Sequence, residues 1–231
     1  MVETYIERAQ ACLKQLEGIC PDQFRRGIFV EETIPEGALL FIGINPSFTE
    51  GDAVPGDEKY SPTYSLENLE HPYYKKIKNV TVDEIHLPFG HHDLFPIRER
   101  NQKVIERMFD GENGPLVPKK AYVSFVNEAL KWSAATIIKA KPKMIVVINT
   151  FASRLFFDAR IDGNTLLGFK PANGELWSEE LGADFVRIND QVVPILFSGM
   201  LSGQRALDRY SEFRLFWHIR HILSHPSCWP K

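Results

Sequence analysis

Apolar runs alternate with amphipathic stretches along this chain, and the alternation predicts its strands and helices. Three almost wholly apolar runs, typical of strands buried on both faces of a parallel sheet, lie at 38–44, 143–148 and 192–197. Another strand candidate spans 85–95, and a hairpin with a turn at Asn189 and Asp190 joins 185–188 to the last run. Hydrophobic residues at helical spacing predict helices over 3–17, 66–77, 99–109, 119–139 and 204–223, with one more starting near Phe151 and capped by Asn149-Thr150.

This order of elements predicts an α/β fold, which we interpret as a three-layer α/β/α sandwich with a mainly parallel central sheet. A chain of 231 residues is long enough for one sizeable core. We expect residues 1–35 to form an N-terminal helical extension packed on a domain that spans 36–231. The segment 48–66 is long, irregular and rich in Gly and Pro, and loops of that kind are often functional.

Composition narrows the class of protein. Hydrophobic residues make up 44% and charged residues 25%, as in ordinary globular proteins. No stretch approaches the roughly 18 apolar residues that span a bilayer, and the first residues lack a signal-peptide pattern, so we expect a cytoplasmic protein without a membrane partner. The only cysteines are Cys12, Cys20 and Cys228, too few to ligate an iron–sulfur cluster by themselves. We therefore expect no cofactor.

The most informative local pattern is the apolar strand that runs directly into Gly43-Ile44-Asn45-Pro46-Ser47. Glycine permits a close approach because it has no Cβ. Pro46 has a fixed φ and biases Asn45 towards an extended conformation. Asn45 is thereby predicted to lie on a stiff loop at the carboxyl edge of a sheet, which is where open α/β sheets bind ligands.

These five residues resemble the first motif of the uracil-DNA glycosylase superfamily, closest to the mismatch-specific branch with its GINPG motif. The second motif of that superfamily, HPSPLS or NPSGLS, follows a late strand. Here the strand-like 194–197 is followed by Ser198-Gly199-Met200-Leu201-Ser202-Gly203. Leu201 and Ser202 fit the motif, but its opening His or Asn falls on Phe197 and its Pro on Ser198. The resemblance covers about 36–223.

The resemblance implies a role for each part of the first motif. Asn45 would hold the attacking water, through an amide oxygen that orients water but is a poor base. The backbone at Ile44 and the ring of Phe48 would hold the base. The predicted substrate-binding residues near this loop are Gly43, Ile44, Pro46, Ser47 and Phe48. Two alternatives stay open: Asn45 as a turn residue bonded to its own backbone, and Phe48 as a core residue.

The run His91-His92-Asp93 ends the 85–95 strand candidate. Adjacent histidines on an extended segment point to opposite faces, and no second cluster of ligands accompanies them, so we expect no metal site but satisfied polarity at the surface or rim. In the superfamily this strand end recognises the base. The resemblance therefore implies that His92 and Asp93 hydrogen-bond a base edge, and the pattern leaves the inward face of His91 undecided.

The segment after the last strand is the predicted DNA-binding part. The resemblance implies that Leu201 wedges into the duplex beside Met200, since inserted apolar side chains unstack bases. Ser202 and Gly203 would contact phosphate, and Ser198 would weakly replace the missing stabiliser of the leaving base. Arg205 and Arg209 are one helical turn apart and are predicted to share a phosphate-facing surface. The alternatives are a plain strand-to-helix connection and a solvated helix face.

Taken together, the patterns favour a monomeric, metal-free DNA glycosylase that hydrolyses the N-glycosidic bond of a deaminated or mismatched base. The net charge of −3 and the Phe197 departure favour a second interpretation, a non-catalytic nucleobase-, nucleotide- or DNA-binding protein on the same fold. A third is an enzyme that acts on another small ligand in the same cleft. No phosphate-binding, dinucleotide-binding or hydrolase motif of another class occurs.

Overall fold

A computed structural model describes residues 4–66, 72–110, 116–160, 164–170, 176–201 and 206–230. Its helices are α1 (Tyr5–Lys14), α2 (Pro21–Arg26), α3 (Pro72–Lys78), α4 (Gln102–Arg107), α5 (Val123–Ala140), α6 (Thr150–Asp158) and α7 (Arg209–Ser224). Its strands are β1 (Val30–Glu31), β2 (Leu39–Gly43), β3 (Thr63–Tyr64), β4 (Phe89–Asp93), β5 (Met144–Val147), β6 (Trp177–Ser178), β7 (Ala183–Ile188) and β8 (Gln191–Phe197). The chain therefore has an α/β fold.

Local sequence signals explain where several helices begin. Thr4 forms a capping box with Glu7 at the start of α1, so two backbone N–H groups that lack helical partners are satisfied. Asn149 caps α6 by accepting hydrogen bonds from the N–H groups of residues 151 and 152, as the sequence predicted. Asp208 caps α7 in the same way, so this helix begins at Arg209 rather than at residue 204.

The large sheet is mixed and has the strand order β4-β2-β5-β8-β7-β6. The first four strands are parallel neighbours, and β7 and β6 add antiparallel pairings. The predicted placement of the three apolar runs in one sheet is confirmed, because β5 pairs with both β2 and β8. The predicted hairpin is also confirmed: Asn189 and Asp190 have φ of 47° and 64°, which suits the tight turn between β7 and β8.

Both faces of the sheet are buried. Leu40 and Ile42 of β2 point to one hydrophobic cluster with residues of α1, α5 and α6, whereas Leu39 and Phe41 point to a second cluster with residues of α7. The alternation explains why β2 reads as a continuous apolar run. Within the described part of the chain, no helix is both long and apolar enough to cross a membrane.

The N-terminal segment is integrated with this core. Ala9, Cys12 and Leu13 of α1 lie in the same cluster as the inner residues of α5. β1 pairs in parallel with β3, a short strand inside the segment 48–66 for which the sequence predicted only an irregular loop. The isolated two-residue pairing has no hydrophobic periodicity of its own, so sequence pattern does not reveal it. It brings Tyr64 and Glu31 to the carboxyl side of the large sheet.

Candidate functional site

A cavity of about 410 Å³ opens where the parallel strands end. Gly43 and Asp93 are register partners at the ends of β2 and β4, and Ile42, Val147 and Phe197 are aligned across β2, β5 and β8. The loops that leave this row form the cavity, which is lined by residues 43–47, by Ile148 and Asn149 after β5, and by Met200 and Leu201 after β8. The two predicted motifs therefore meet at one site.

Asn45 lines the cavity with a fixed amide. Its Nδ2 donates to the carbonyl oxygen of Pro46 at 2.9 Å and to that of Glu99 at 2.8 Å. Both acceptors are carbonyl oxygens, which cannot donate, so chemistry alone assigns the nitrogen to this side of the amide. Oδ1 is thus the amide atom left to accept a hydrogen bond from a ligand or water. The hydrogen bonds of Nδ2 agree with the interpretation of Asn45 as a turn residue. The interpretation in which Asn45 holds a water requires Oδ1.

A buried carboxylate holds the loop behind Asn45. Glu99 Oε2 accepts hydrogen bonds from Gln23 Nε2 at 2.7 Å and Arg26 Nη1 at 2.6 Å, and Oε1 accepts from the N–H of Asn101. These donors hold the pKa of Glu99 below its usual value despite burial. The Glu99 N–H also donates to the Pro46 carbonyl. The loop that carries Asn45 is therefore tied to the N-terminal segment.

The carboxyl group of Asp93 lies where Gly43 leaves room for it. A Cβ atom on Gly43 would overlap Asp93 Oδ1 and would lie 3.3 Å from His91 Nε2. The close approach predicted at Gly43 is thus made by a side chain of the neighbouring strand. The Asp93 side chain is 11% exposed and lines the cavity. Burial raises its pKa to about 7, so the neutral carboxylic acid is well populated near neutral pH.

His91 links Asp93 to a buried polar network. Its Nδ1 lies 3.1 Å from the Tyr64 hydroxyl and 4.0 Å from Asp93 Oδ2, and its backbone N–H donates to Glu31 Oε2 at 2.7 Å. Burial lowers the pKa of His91 to about 4 and raises the pKa of Glu31 to about 8. The network therefore holds a neutral imidazole and a largely protonated Glu31 at neutral pH.

Four aromatic rings form a wall of the cavity: Phe29, Tyr64, Tyr73 and Tyr74. Phe29 and Tyr64 have ring centroids 4.7 Å apart, and the rings of Tyr73 and Tyr74 both meet His91 edge-on. None of these rings was identified from the sequence, because they come from three separate segments. The one available signal was the local density of tyrosines at 60, 64, 73 and 74.

Phe48 does not line the cavity. Its ring lies between the guanidinium groups of Arg26 and Arg98, each 4.9 Å from the ring centroid. Arg98 also donates to the Ala53 carbonyl and pairs with Asp52, so this stack anchors the loop that follows the motif. The predicted role of Phe48 in stacking a base is corrected: the ring positions the loop, and aromatic contact with a ligand falls to the wall described above.

His92 lies on the other face of the sheet. Its Nε2 is 2.9 Å from Ser133 Oγ, its Nδ1 is 3.3 Å from the Tyr5 hydroxyl, and its ring packs on Trp132. Strand alternation sends His91 and Asp93 to the cavity and His92 away from it, so the prediction that His92 binds a base edge is corrected. Both histidines are buried, not at the surface or rim, with exposed fractions of 4% and 1%.

The segment after β8 is only partly as predicted. Met200 and Leu201 line the cavity, but Leu201 is 4% exposed and packs in the second hydrophobic cluster. It is therefore a core residue here, not an exposed wedge. Ser198 is not among the cavity-lining residues, and its N–H continues the sheet by donating to the Val147 carbonyl. Ser202, Gly203 and Arg205 lie outside the described residues.

Two further predictions concern the ends of this segment. Arg209 is exposed at the first position of α7, and its guanidinium lies 5.4 Å from the centroid of the Phe213 ring. The helical face that Arg209 is predicted to share with Arg205 stays a prediction, because Arg205 lies outside the described residues. Phe197 packs against Phe156, Phe157 and Phe169, so it contributes no polar group to the site.

Two observations concern the chemistry that the site can perform. Among the described residues, no group of three or more His, Cys, Asp or Glu side chains is arranged to hold a metal ion. Comparison with known proteins finds no family that matches this chain and no matching curated sequence.

The contact between Gly43 and Asp93 makes a prediction about stability. Gly43→Ala should destabilise the protein by about 2 kcal/mol, because the added methyl group displaces a buried carboxyl group. The same substitution in an Asp93→Ala background should cost at least about 1 kcal/mol less, since the obstacle is gone. Urea unfolding of the four proteins measures this coupling. An equal cost in both backgrounds would show that the carboxyl group does not occupy this space.

The pKa values predict how stability depends on pH. Between about pH 6.5 and 8, the folded protein holds protons on Glu31 and Asp93 that the unfolded chain has released, so stability falls as pH rises. His91 and His92, whose pKa values are lowered, act in the opposite direction, and their effect fades above the ordinary histidine pKa of about 6.5. The loss should be about 1–2 kcal/mol.

Thermal unfolding across this range tests the assignment. The double variant Glu31→Gln/Asp93→Asn should lose this fall and show a slight rise from pH 6.5 to 8, because neither amide titrates and only the two histidines still contribute. Glu50→Gln, at an exposed position, is the matched control and should retain the fall. A wild-type profile that is already flat, or a double variant that falls as steeply as wild type, would contradict the burial of these protons.

Proposed function

We propose that this protein is a uracil-DNA glycosylase-like hydrolase that removes a deaminated or mismatched base from DNA. The observation that carries the proposal is the combination of Asn45 Oδ1 and the Asp93 carboxyl group in one aromatic-walled cavity at the carboxyl ends of parallel strands. We further propose that the helices on the two faces of the sheet make it a three-layer α/β/α sandwich. That the protein acts in the cytoplasm and as a monomer stays a prediction.

Stacking and edge recognition would hold the base. An extruded base is read by aromatic contacts and by hydrogen bonds to its edge. The rings of Phe29, Tyr64, Tyr73 and Tyr74 supply the first kind of contact. Neutral Asp93 offers one O–H donor and one carbonyl acceptor, which complement the adjacent N–H and C=O groups of uracil, thymine or hypoxanthine. The raised pKa of about 7 supports this pairing near neutral pH.

Asn45 would act on the water. Its Oδ1 accepts a hydrogen bond from water and orients the water oxygen towards C1′ of the sugar, while the N-glycosidic bond breaks and the base leaves with the bonding electrons. Because an amide is a poor base, the gain in rate would come from positioning. The water loses a proton as it adds to C1′, and the departing base takes up a proton.

His91 is the remaining candidate for stabilising the departing base. Phe197 occupies the superfamily's position for that group, but it packs against aromatic rings and has no polar atom in its side chain. His91 lines the cavity as a neutral imidazole, and when Tyr64 donates to Nδ1, its Nε2 carries a proton that can be donated. A neutral donor in place of a stronger one implies slow excision, since one lost electrostatic donor costs roughly 2.7–4 kcal/mol in the barrier.

The second candidate is a protein that binds a nucleobase or nucleotide without cleaving it. The observation that favours it is the packing of Phe197 against Phe156 and Phe157 at the end of β8, where the superfamily has a polar side chain. The cavity would still bind the base through its aromatic wall and through the Asp93 carboxyl group. Asn45 would then serve only to hold its loop against the Glu99 carbonyl.

Base release from oligonucleotides distinguishes the two functions. Uracil-, hypoxanthine- and thymine-mismatch substrates should lose the base slowly with the wild-type protein, and Asn45→Ala should lower the rate by at least about tenfold, because the water loses its acceptor. Asn79→Ala, at an exposed position far along the chain, is the matched control and should leave the rate unchanged.

Asp93→Asn adds a test of base recognition. Asparagine presents the same donor and acceptor pattern as the neutral acid, so release of uracil should continue and should no longer decline above pH 7. A rate unchanged by Asn45→Ala would remove Asn45 from the mechanism. No release from any substrate, with retained binding of free uracil, would establish the non-catalytic alternative.

A further inference from the structure

α7 has a second apolar face that the core does not use. Its inner residues Leu215, Phe216, Ile219 and Ile222 are buried in the second hydrophobic cluster. On the outer side, Tyr210, Phe213 and Trp217 are 75%, 54% and 58% exposed. They are the only aromatic residues among the large exposed hydrophobics of the described chain, and all three are on this one helix. Three large exposed rings on one helix face mark a binding surface.

The outer face is an ordered row of rings and a cation. Arg209, Phe213, Trp217 and His221 are four residues apart, so they follow one another along one side of the helix for about 18 Å. The Arg209 guanidinium lies 5.4 Å from the Phe213 centroid. The Trp217 and His221 rings stack with centroids 5.0 Å apart and an interplanar angle of 8°. We call these four residues the α7 ladder.

Charge around the ladder favours an anionic partner. Arg209, Arg214 and Arg220 of α7 are all exposed. The nearby acids are engaged: Glu212 pairs with Lys76, Glu84 pairs with Arg220, and Asp208 caps the helix. Arg220 is itself paired with Glu84, so Arg209 and Arg214 are the cations beside the rings, and a surface that combines aromatic rings with arginines matches the two parts of a nucleotide.

The start of α7 lies close to a segment that lines the cavity. The N–H of Leu207, just before α7, donates to the carbonyl oxygen of Met200, which lines the cavity. α3, which carries the wall residues Tyr73 and Tyr74, is joined to α7 by the pair between Lys76 and Glu212. A strand that leaves the cavity in this direction would meet the ladder.

We propose that the α7 ladder binds single-stranded nucleic acid, with bases stacked on Phe213 and Trp217 and phosphates beside Arg209 and Arg214. Stacking requires exposed base faces, which a single strand offers along its length and a duplex conceals. This binding goes beyond base excision and needs neither Asn45 nor Asp93.

Fluorescence anisotropy with a labelled 15-nucleotide oligo(dT) tests the proposal on the full chain. Trp217→Ala should weaken binding by roughly tenfold, and Trp217→Phe, which retains a ring, should weaken it less. Val123→Ala, another exposed apolar position on a different helix, is the matched control and should bind like wild type. Arg214→Gln should flatten the salt dependence by about 0.7 in log–log slope, the value for one phosphate contact on a single strand.

Three outcomes would overturn the proposal. The first is no binding of oligo(dT) even at low salt, and the second is equal affinity in wild type and Trp217→Ala. The third is a concentration-dependent dimer in sedimentation that Trp217→Ala makes monomeric and oligo(dT) does not disrupt, which would identify the ladder as a self-association surface. Base release without oligo(dT) binding would refute the binding role of the α7 ladder but not base excision. Oligo(dT) binding without base release would refute base excision but not the binding role of the ladder.

Discussion

The in-register pairing of Gly43 with Asp93 is the constraint on which the rest of the site depends. A parallel ladder between β2 and β4 brings the two residues side by side, and the missing Cβ of Gly43 gives the Asp93 carboxyl group its space. The carboxyl group then lies buried beside His91 and beneath the aromatic wall. Its raised pKa follows from that burial, and so does the hydrogen-bond pattern that the cavity offers to a base.

The segment before residue 36 builds the site as well as covering the core. Gln23 and Arg26 hold Glu99, whose backbone carbonyl fixes the Asn45 amide. Phe29 adds a ring to the wall, and Glu31 accepts the His91 backbone N–H. The mechanism that we propose needs this rigidity, because an amide that orients water without acting as a base contributes to the rate only by positioning.

Sequence patterns predicted the parts of the molecule that depend on periodicity and on local chemistry. The apolar runs identified β2, β5 and β8, and Asn149 and the turn at 189–190 were assigned correctly because their roles are local. Opposite orientations for His91 and His92 followed from strand alternation, but the choice of inward face depends on which helices cover each side. That choice depends on contacts distant in sequence, so the sequence prediction placed His92 in the cavity, which His91 lines instead.

The errors at Phe48 and Leu201 have a related cause. Both residues follow motifs at strand ends, where chain position places them near the cavity but does not determine where the side chain points. The ring of Phe48 contacts two arginines from other segments, and Leu201 packs in the second hydrophobic cluster. The aromatic wall was missed for the converse reason, since its four rings converge only once β1 pairs with β3 and α3 packs beside β4.

The most direct measurement of the central claim is the pH titration of the Asp93 carboxyl carbon by NMR, with and without free uracil. We predict a titration midpoint near 7 in the free protein and a higher midpoint with uracil bound, because the base pairs with the neutral acid. A midpoint near the ordinary aspartate value of about 4, unmoved by uracil, would contradict both the buried carboxyl group and its role in reading a base.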